Sequence, residues 1–201
     1  ISEHACDVTD ANACAAAIDA VCERWGGVDV LVNNAGLSHR SLFRDTDLDV
    51  IRHVMNVNFL GAVYCTKAAL PALEASGGMI VVMSSVAGFA PLVGRTGYAA
   101  SKHALHGFFD SLRSELDHTG VLIVCPSYVA TDIDLRALGA DGLPLGRRKA
   151  IRAGLTPDQV AAAVVKSTAR RRRRLVLSAT GRASWWISRV WPSLYERLMR
   201  A

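Results

Sequence analysis

Short apolar runs closed by turn-forming residues recur along the chain, and longer stretches with apolar residues at helical spacing separate them; nothing else in the sequence restricts the fold as much. "HACDVTD" (4–10) reads as the end of a strand, "VDVLVNNAG" (28–36) as a buried strand, and "GGMIVVMSSVAG" (77–88), "VLIVCPSYV" (121–129) and "RRLVLS" (173–178) as three more. Between them, Asp10 is placed to cap a helix in which Ile18, Val21, Cys22 and Trp25 recur before Gly26 and Gly27 end it. Thr46 is the candidate cap of a long helix over Leu48 to Leu73, with Pro71 near its end, and a further helix runs from Tyr98 to about His118. Thr156-Pro157-Asp158 starts another that continues through Ala169. Strands alternating with helices in this way predict an α/β fold in which a three-layer, doubly wound parallel sheet carries helices on both faces. Ligands of such sheets bind beyond the carboxyl ends of the strands, which here are rich in Asn, Gly, Ser, Pro and Thr.

At 201 residues and 51% hydrophobic content the chain suits one folded domain and excludes a disordered one. The net charge of +5 is concentrated in Arg170 to Arg174, so a solvated helix end is favoured over a nucleic-acid surface, although an anion or nucleic-acid binder built on that run is the rival to test. Cys6, Cys14, Cys22, Cys65 and Cys125 are odd in number and lack metal-ligand spacing, which fits packing cysteines in a reducing, cytoplasmic setting and no metal site. No stretch is apolar enough for a membrane span. The chain opens on Ile1 within an expected strand, which implies a missing upstream portion.

The residues best suited to chemistry lie in "SSVAGFAPLVGRTGYAASK" (84–102). Residues four apart share one helical face, so Tyr98 and Lys102 are expected beside one cleft. A free phenol has a pKa of about 10. A lysine charge at about 4 Å, worth about 4 kcal/mol near a protein surface, would draw it toward neutrality and into proton exchange with a carbonyl or alcohol. Ser85, at the end of the preceding strand, can hydrogen-bond the same substrate oxygen, whereas Ser84 is expected on the opposite side.

Together with "CDVTD" (6–10), "NNAG" (33–36), "NVNFLGA" (56–62), "SSVAG" (84–88), "YAASK" (98–102) and "PSYVAT" (126–131), in this order, the chain resembles the short-chain dehydrogenase/reductase family, in particular its NAD(P)-dependent oxidoreductases with a Rossmann-type sheet. The resemblance implies that Tyr98 is the acid/base, that Lys102 lowers its pKa and binds the nicotinamide ribose, and that Ser85 orients the substrate oxygen. It implies that Asn58, not Asn56, holds a water linking Lys102 to solvent. Cofactor contacts are implied for Asp7 and Val8 at the adenine, for Asn34, Ala35 and Gly36 with Asn33 at the strand-end turn, and for Val129 and Thr131 at the carboxamide. The resemblance further implies NAD or NADP as cofactor, a small carbonyl or alcohol compound as substrate, and a homodimer or homotetramer built on the helices around 57–73 and 98–116.

The family's glycine-rich turn, with the strands and helix around it, has no counterpart here, so the sheet is expected to lack its first βαβ portion and the chain its main phosphate site. Weak or absent cofactor binding is therefore expected of residues 1–201 alone, and an isolated folded chain is not expected. A catalytically silent binding or scaffold protein is the other alternative. Ser127 stands where relatives most often carry glycine after the proline. The expected organisation is a truncated domain over 1–181, an insertion over the substrate site at about 132–155, and an amphipathic tail over 182–201. In that tail Ile187, Val190, Trp191, Leu194 and Leu198 can share a helical face with a kink at Pro192. It either packs over the substrate opening or on another subunit, or makes a peripheral membrane contact.

Overall fold

The structure, a computed structural model, describes residues 1–146 and 154–200; residues 147–153 of the expected insertion lie outside the described residues. Four apolar runs form one parallel sheet in the order β1 (Val30–Asn33), β2 (Met79–Met83), β3 (Gly120–Cys125) and β4 (Arg174–Val176). Its register places Leu31 beside Ile80, Ile80 beside Val121 and Val124 beside Leu175. Because successive strand residues point to opposite faces, Ile80, Val82, Val121 and Ile123 build one core while Met79, Val81, Leu122 and Val124 build another. In β2 and β3, burial on both faces explains why the runs are apolar throughout instead of alternating, whereas Val30 and Val32 of β1 are exposed.

The first core is covered by α3 (Gly61–Ser76) and α4 (Thr96–Glu115), whose Leu73, Leu105 and Phe109 are buried in it, and α1 (Ala11–Trp25) packs Ile18 against the same cluster. The second is covered by α5 (Pro157–Ala169), through Val164. This is the expected α/β sandwich of helices around a parallel sheet. The cap of α1 is as read: Asp10 Oδ1 accepts from the backbone of Asn12 and Ala13, and Gly26 ends the helix at φ 82°, a left-handed conformation that favours glycine. Thr156 and Gln159 form a reciprocal capping box at the start of α5, with Pro157 following the cap.

Other elements depart from expectation. Residues 1–7 form no strand, since among the described residues no other strand lies beside them to pair their backbone groups. Val8 packs against Gly61 instead. Asp47, not Thr46, caps α2 (Leu48–Met55), by accepting from Asp49 N, while the Thr46 hydroxyl donates to Leu42 O. The single helix expected over 48–73 is interrupted by one wide π turn, Asn56–Leu60, before α3 continues past Pro71 to Ser76. Trp25 is exposed, with the Arg24 guanidinium over its ring, and does not join the core. In the basic run, Arg171 donates to Gly77 O and His118 O, and Arg174 pairs with Asp110 at 2.8 Å.

The segment holding the expected tail is two helices, α6 (Ala179–Val190) and α7 (Pro192–Arg200), with Trp191 outside helical geometry between them. The face expected to be shared is split: Ile187 and Leu194 are half-buried, whereas Val190, Trp191 and Leu198 are exposed. Tyr195 is the buried anchor, packed with Val86 and Ala90. Among the described residues no helix is long and apolar enough to cross a membrane.

Candidate active site

The carboxyl ends of β2 and β3 and the first turns of α4 converge on Tyr98, Lys102 and Ser85. Ser84 and Ser85 follow directly on β2, and Ser85 caps a short helical turn, Val86–Gly88, by accepting from Ala87 N at 3.1 Å. Tyr98 and Lys102, one helical turn apart and both buried, face the same cavity. The Lys102 ammonium donates to Met83 O at 2.8 Å and lies 5.7 Å from the centre of the Tyr98 ring. Burial holds the Lys102 pKa down to about 8. Burial also pushes the Tyr98 phenol above its ordinary range, and the opposing influences are the Ser85 hydroxyl and the Arg95 charge. The net shift is thus upward, opposite to the lowering expected from the Lys102 charge, because burial outweighs the charges around the phenol.

Two cavities meet at this phenol. The first, of about 420 Å³, runs past Asn34, Gly36, Val129 and Thr131 and on between Val32 of β1 and Val164 and Val165 of α5. The second, of about 530 Å³, shares Ser85 and Tyr98 with the first and has Thr180, Gly181 and Ser184 of α6 and Tyr195 and Met199 of α7 in its wall. Its floor carries Arg40, Arg95 and Asp134, in which one carboxylate oxygen of Asp134 accepts from both guanidiniums, at 3.2 and 3.0 Å. The segment holding Asp134 is fastened to the 38–47 loop through Leu138 N to Ser38 O, Arg40 N to Leu138 O and Asp47 N to Ala140 O.

Asn58 sits in the π turn, where the extra residue swings its amide behind the cavity wall. Its Oδ1 accepts from Leu37 N at 2.7 Å, and its Nδ2 donates to Leu37 O and Ser101 Oγ. Asn58 therefore holds the turn after β1 against α4. Gly36 leaves room for this contact: a Cβ there would stand 3.3 Å from Asn58 Oδ1 and 3.6 Å from Lys102 Nζ. One turn beyond Lys102, His106 is buried, with Nε2 2.8 Å from Ser84 Oγ and 3.7 Å from Cys125 Sγ.

A family model described as short chain dehydrogenase matches residues 2–138. The chain belongs to the short-chain dehydrogenase family. A "Dehydrogenase/reductase SDR family protein 7-like" of Anopheles gambiae is 37% identical over 199 residues, which is 96% of this chain and 63% of that protein. The chain thus spans less than two thirds of that relative's length. Among solved structures, a Burkholderia phymatum short chain dehydrogenase/reductase in complex with NAD superposes with a TM-score of 0.82 at 23% identity, over 94% of this chain and 75% of that one. The alcohol dehydrogenase of Thermococcus sibiricus complexed with 5-hydroxy-NADP gives 0.75 at 26% identity, over 87% and 72%.

Of the short-chain dehydrogenase residues picked out by resemblance, Ser85, Tyr98, Lys102, Asn34, Gly36, Val129 and Thr131 line the first cavity, and Asn58 stands behind it. Ala35 is an exposed neighbour of that lining. Asn33 turns away, donating to Thr66 on α3. Asp7 and Val8 line neither cavity: the Asp7 carboxylate is exposed and accepts from Thr9 N and Oγ1, which lowers its pKa. Sequence reasoning missed the Arg40, Arg95, Asp134 cluster and the Ser84–His106 pair. Their partners lie 94, 39 and 22 positions apart, and no local pattern marks them.

Proposed function

We propose that the chain is the catalytic portion of an NAD(P)-linked oxidoreductase acting on a secondary alcohol or carbonyl compound, with Tyr98 moving the proton. The observation that carries this is the position of Tyr98 and Ser85 in the shared wall of two cavities, one for a cofactor and one for a substrate. The first cavity suits the nicotinamide half of such a cofactor. Lys102 Nζ uses one of its three donors on Met83 O, leaving two for ribose hydroxyls, and Gly36 keeps the approach open. Val129 and Thr131 would hold the carboxamide, and Asn34 and Gly36 would flank the ribose. When bound, the nicotinamide supplies or accepts the hydride.

The chain's own residues then orient and protonate. Ser85 holds the substrate oxygen beside the phenol. A phenol kept high by burial stays protonated at neutral pH, the form that donates to a carbonyl oxygen. Lys102 and Arg95 stabilise the phenolate left behind, and Asn58 keeps the α4 turn and the Leu37 backbone in register. Partners on this reading are the small substrate and a second copy of the chain through α3 and α4.

The test is consumption of NADH or NADPH by the full-length protein against a panel of ketones. Tyr98→Phe is expected to lower turnover by about 10²–10⁴-fold with an unchanged melting temperature. Turnover retained in that variant would refute the assignment.

A further inference from the structure

We propose that the cavity between Tyr98 and the C-terminal helices takes an oxo or hydroxy acid, whose carboxylate Arg40 binds; this rests on Tyr98 being the reacting phenol. Among the described residues three charged side chains line that cavity, and they do not balance: Arg40 and Arg95 oppose Asp134. Both guanidiniums donate to the same oxygen, Asp134 Oδ1, so this cluster keeps one unit of positive charge in the cavity that Tyr98 also lines.

The two arginines are not equivalent. Arg95 donates to Ser38 through Nη1 and to Asp134 through Nη2, its side chain is 15% exposed, and its guanidinium lies 5.8 Å from the Tyr98 ring centre. It is a fixed part of the wall. Arg40 is 35% exposed, and among the described residues its side chain donates only through Nη2. A guanidinium has five N–H donors in a planar fork, so the rest of that fork is available to a second carboxylate. Asp134 sets the orientation of the fork before any ligand arrives. A single surplus charge matches a monoanion; a phosphate ester, closer to two charges, would be left undercompensated. Leu92, Val93 and Met199 supply apolar wall for the carbon chain. The expected substrate therefore carries its carboxylate a few carbons from the reacting carbonyl.

Isothermal titration of the cofactor-loaded, full-length protein with levulinate, methyl levulinate and acetonylphosphonate tests this. Levulinate should bind about tenfold more tightly than its ester, as expected for one partly desolvated charge-assisted pair. Arg40→Gln should erase that preference and Arg40→Lys should keep part of it, both with the wild-type melting temperature. Equal binding of acid and ester, an undiminished preference in Arg40→Gln, or tighter binding of the phosphonate would overturn the proposal. Turnover of methyl levulinate without any preference for the acid would sink the carboxylate site and leave the oxidoreductase reading standing. Selective binding of levulinate without turnover of any of these compounds would sink the oxidoreductase reading and leave the anion site.

Discussion

His106→Gln is predicted to make the fold less sensitive to acid. The wild-type ring is buried between α4 and the ends of β2 and β3, with Ser84 Oγ 2.8 Å and Cys125 Sγ 3.7 Å from Nε2 and the Phe89 ring 6.1 Å away. Burial first, and then the Arg174 charge, holds its pKa down to about 4 from an ordinary 6.5. The folded chain thus keeps the ring neutral over a range in which the unfolded chain protonates it. As pH falls through 6.5 the unfolded state gains a proton that the folded state refuses, so stability declines, and the decline is complete near pH 4. At about 1.4 kcal/mol per pH unit this difference amounts to about 3 kcal/mol over the whole window and about 2 kcal/mol by pH 5.

Urea unfolding at pH 7, 6, 5 and 4, followed by tryptophan fluorescence, measures it as the difference between wild type and His106→Gln, in which the carboxylate contributions common to both cancel. The variant starts less stable at pH 7, because it loses ring packing, and the gap narrows or reverses by pH 4. Parallel decline of the two proteins would show that the ring is not held neutral, and would refute the reasoning.

Three further outcomes follow from local geometry. Gly88→Ala places a Cβ 2.6 Å from both His106 Nε2 and Ser84 Oγ, and should lower unfolding stability by about 1–3 kcal/mol while disturbing Ser85 and hence turnover. Thr156→Ala removes the cap of α5, which should cost about 1 kcal/mol in urea with turnover unchanged. Asn58→Ala strips the partners from Leu37 N and O at the strand-end turn and should cost about 1–3 kcal/mol together with most of the activity; a stable, inactive protein would show that its role is not the structural one seen in these bonds.

The fold was legible wherever one short segment carried its own signal. The β2 and β3 runs are apolar because both faces are covered, and Asp10 and the Thr156–Gln159 box sit where their caps require. The first expected strand failed because a strand depends on a neighbour that the segment itself does not specify, and Val8 found Gly61 instead. The π turn was invisible because one added residue leaves the apolar spacing of 48–73 almost unchanged. At the site, Tyr98 and Lys102 were readable from helical spacing, but the direction of the Lys102 ammonium was not: the Met83 carbonyl that captures it lies nineteen positions earlier. The second cavity escaped for the same reason, since its charge is the sum of residues 40, 95 and 134.

The turn of Lys102 onto Met83 O has a kinetic consequence. On the proposed mechanism its charge, 5.7 Å from the centre of the Tyr98 ring, steadies the phenolate, and burial brings its pKa down from an ordinary 10.5 to about 8. The ammonium is therefore fully present below pH 7 and is lost as pH rises through about 8. Carbonyl reduction, which leaves Tyr98 anionic after donation, should fall through the same pH, well before the phenol itself ionises, because burial moves that group the other way. Lys102→Arg keeps a cation at all accessible pH values, so its slower reaction should lose the break near pH 8 altogether. A break at the same pH in the arginine variant would mean that another group titrates there, and the lysine would then be a ribose contact with no part in stabilising the phenolate.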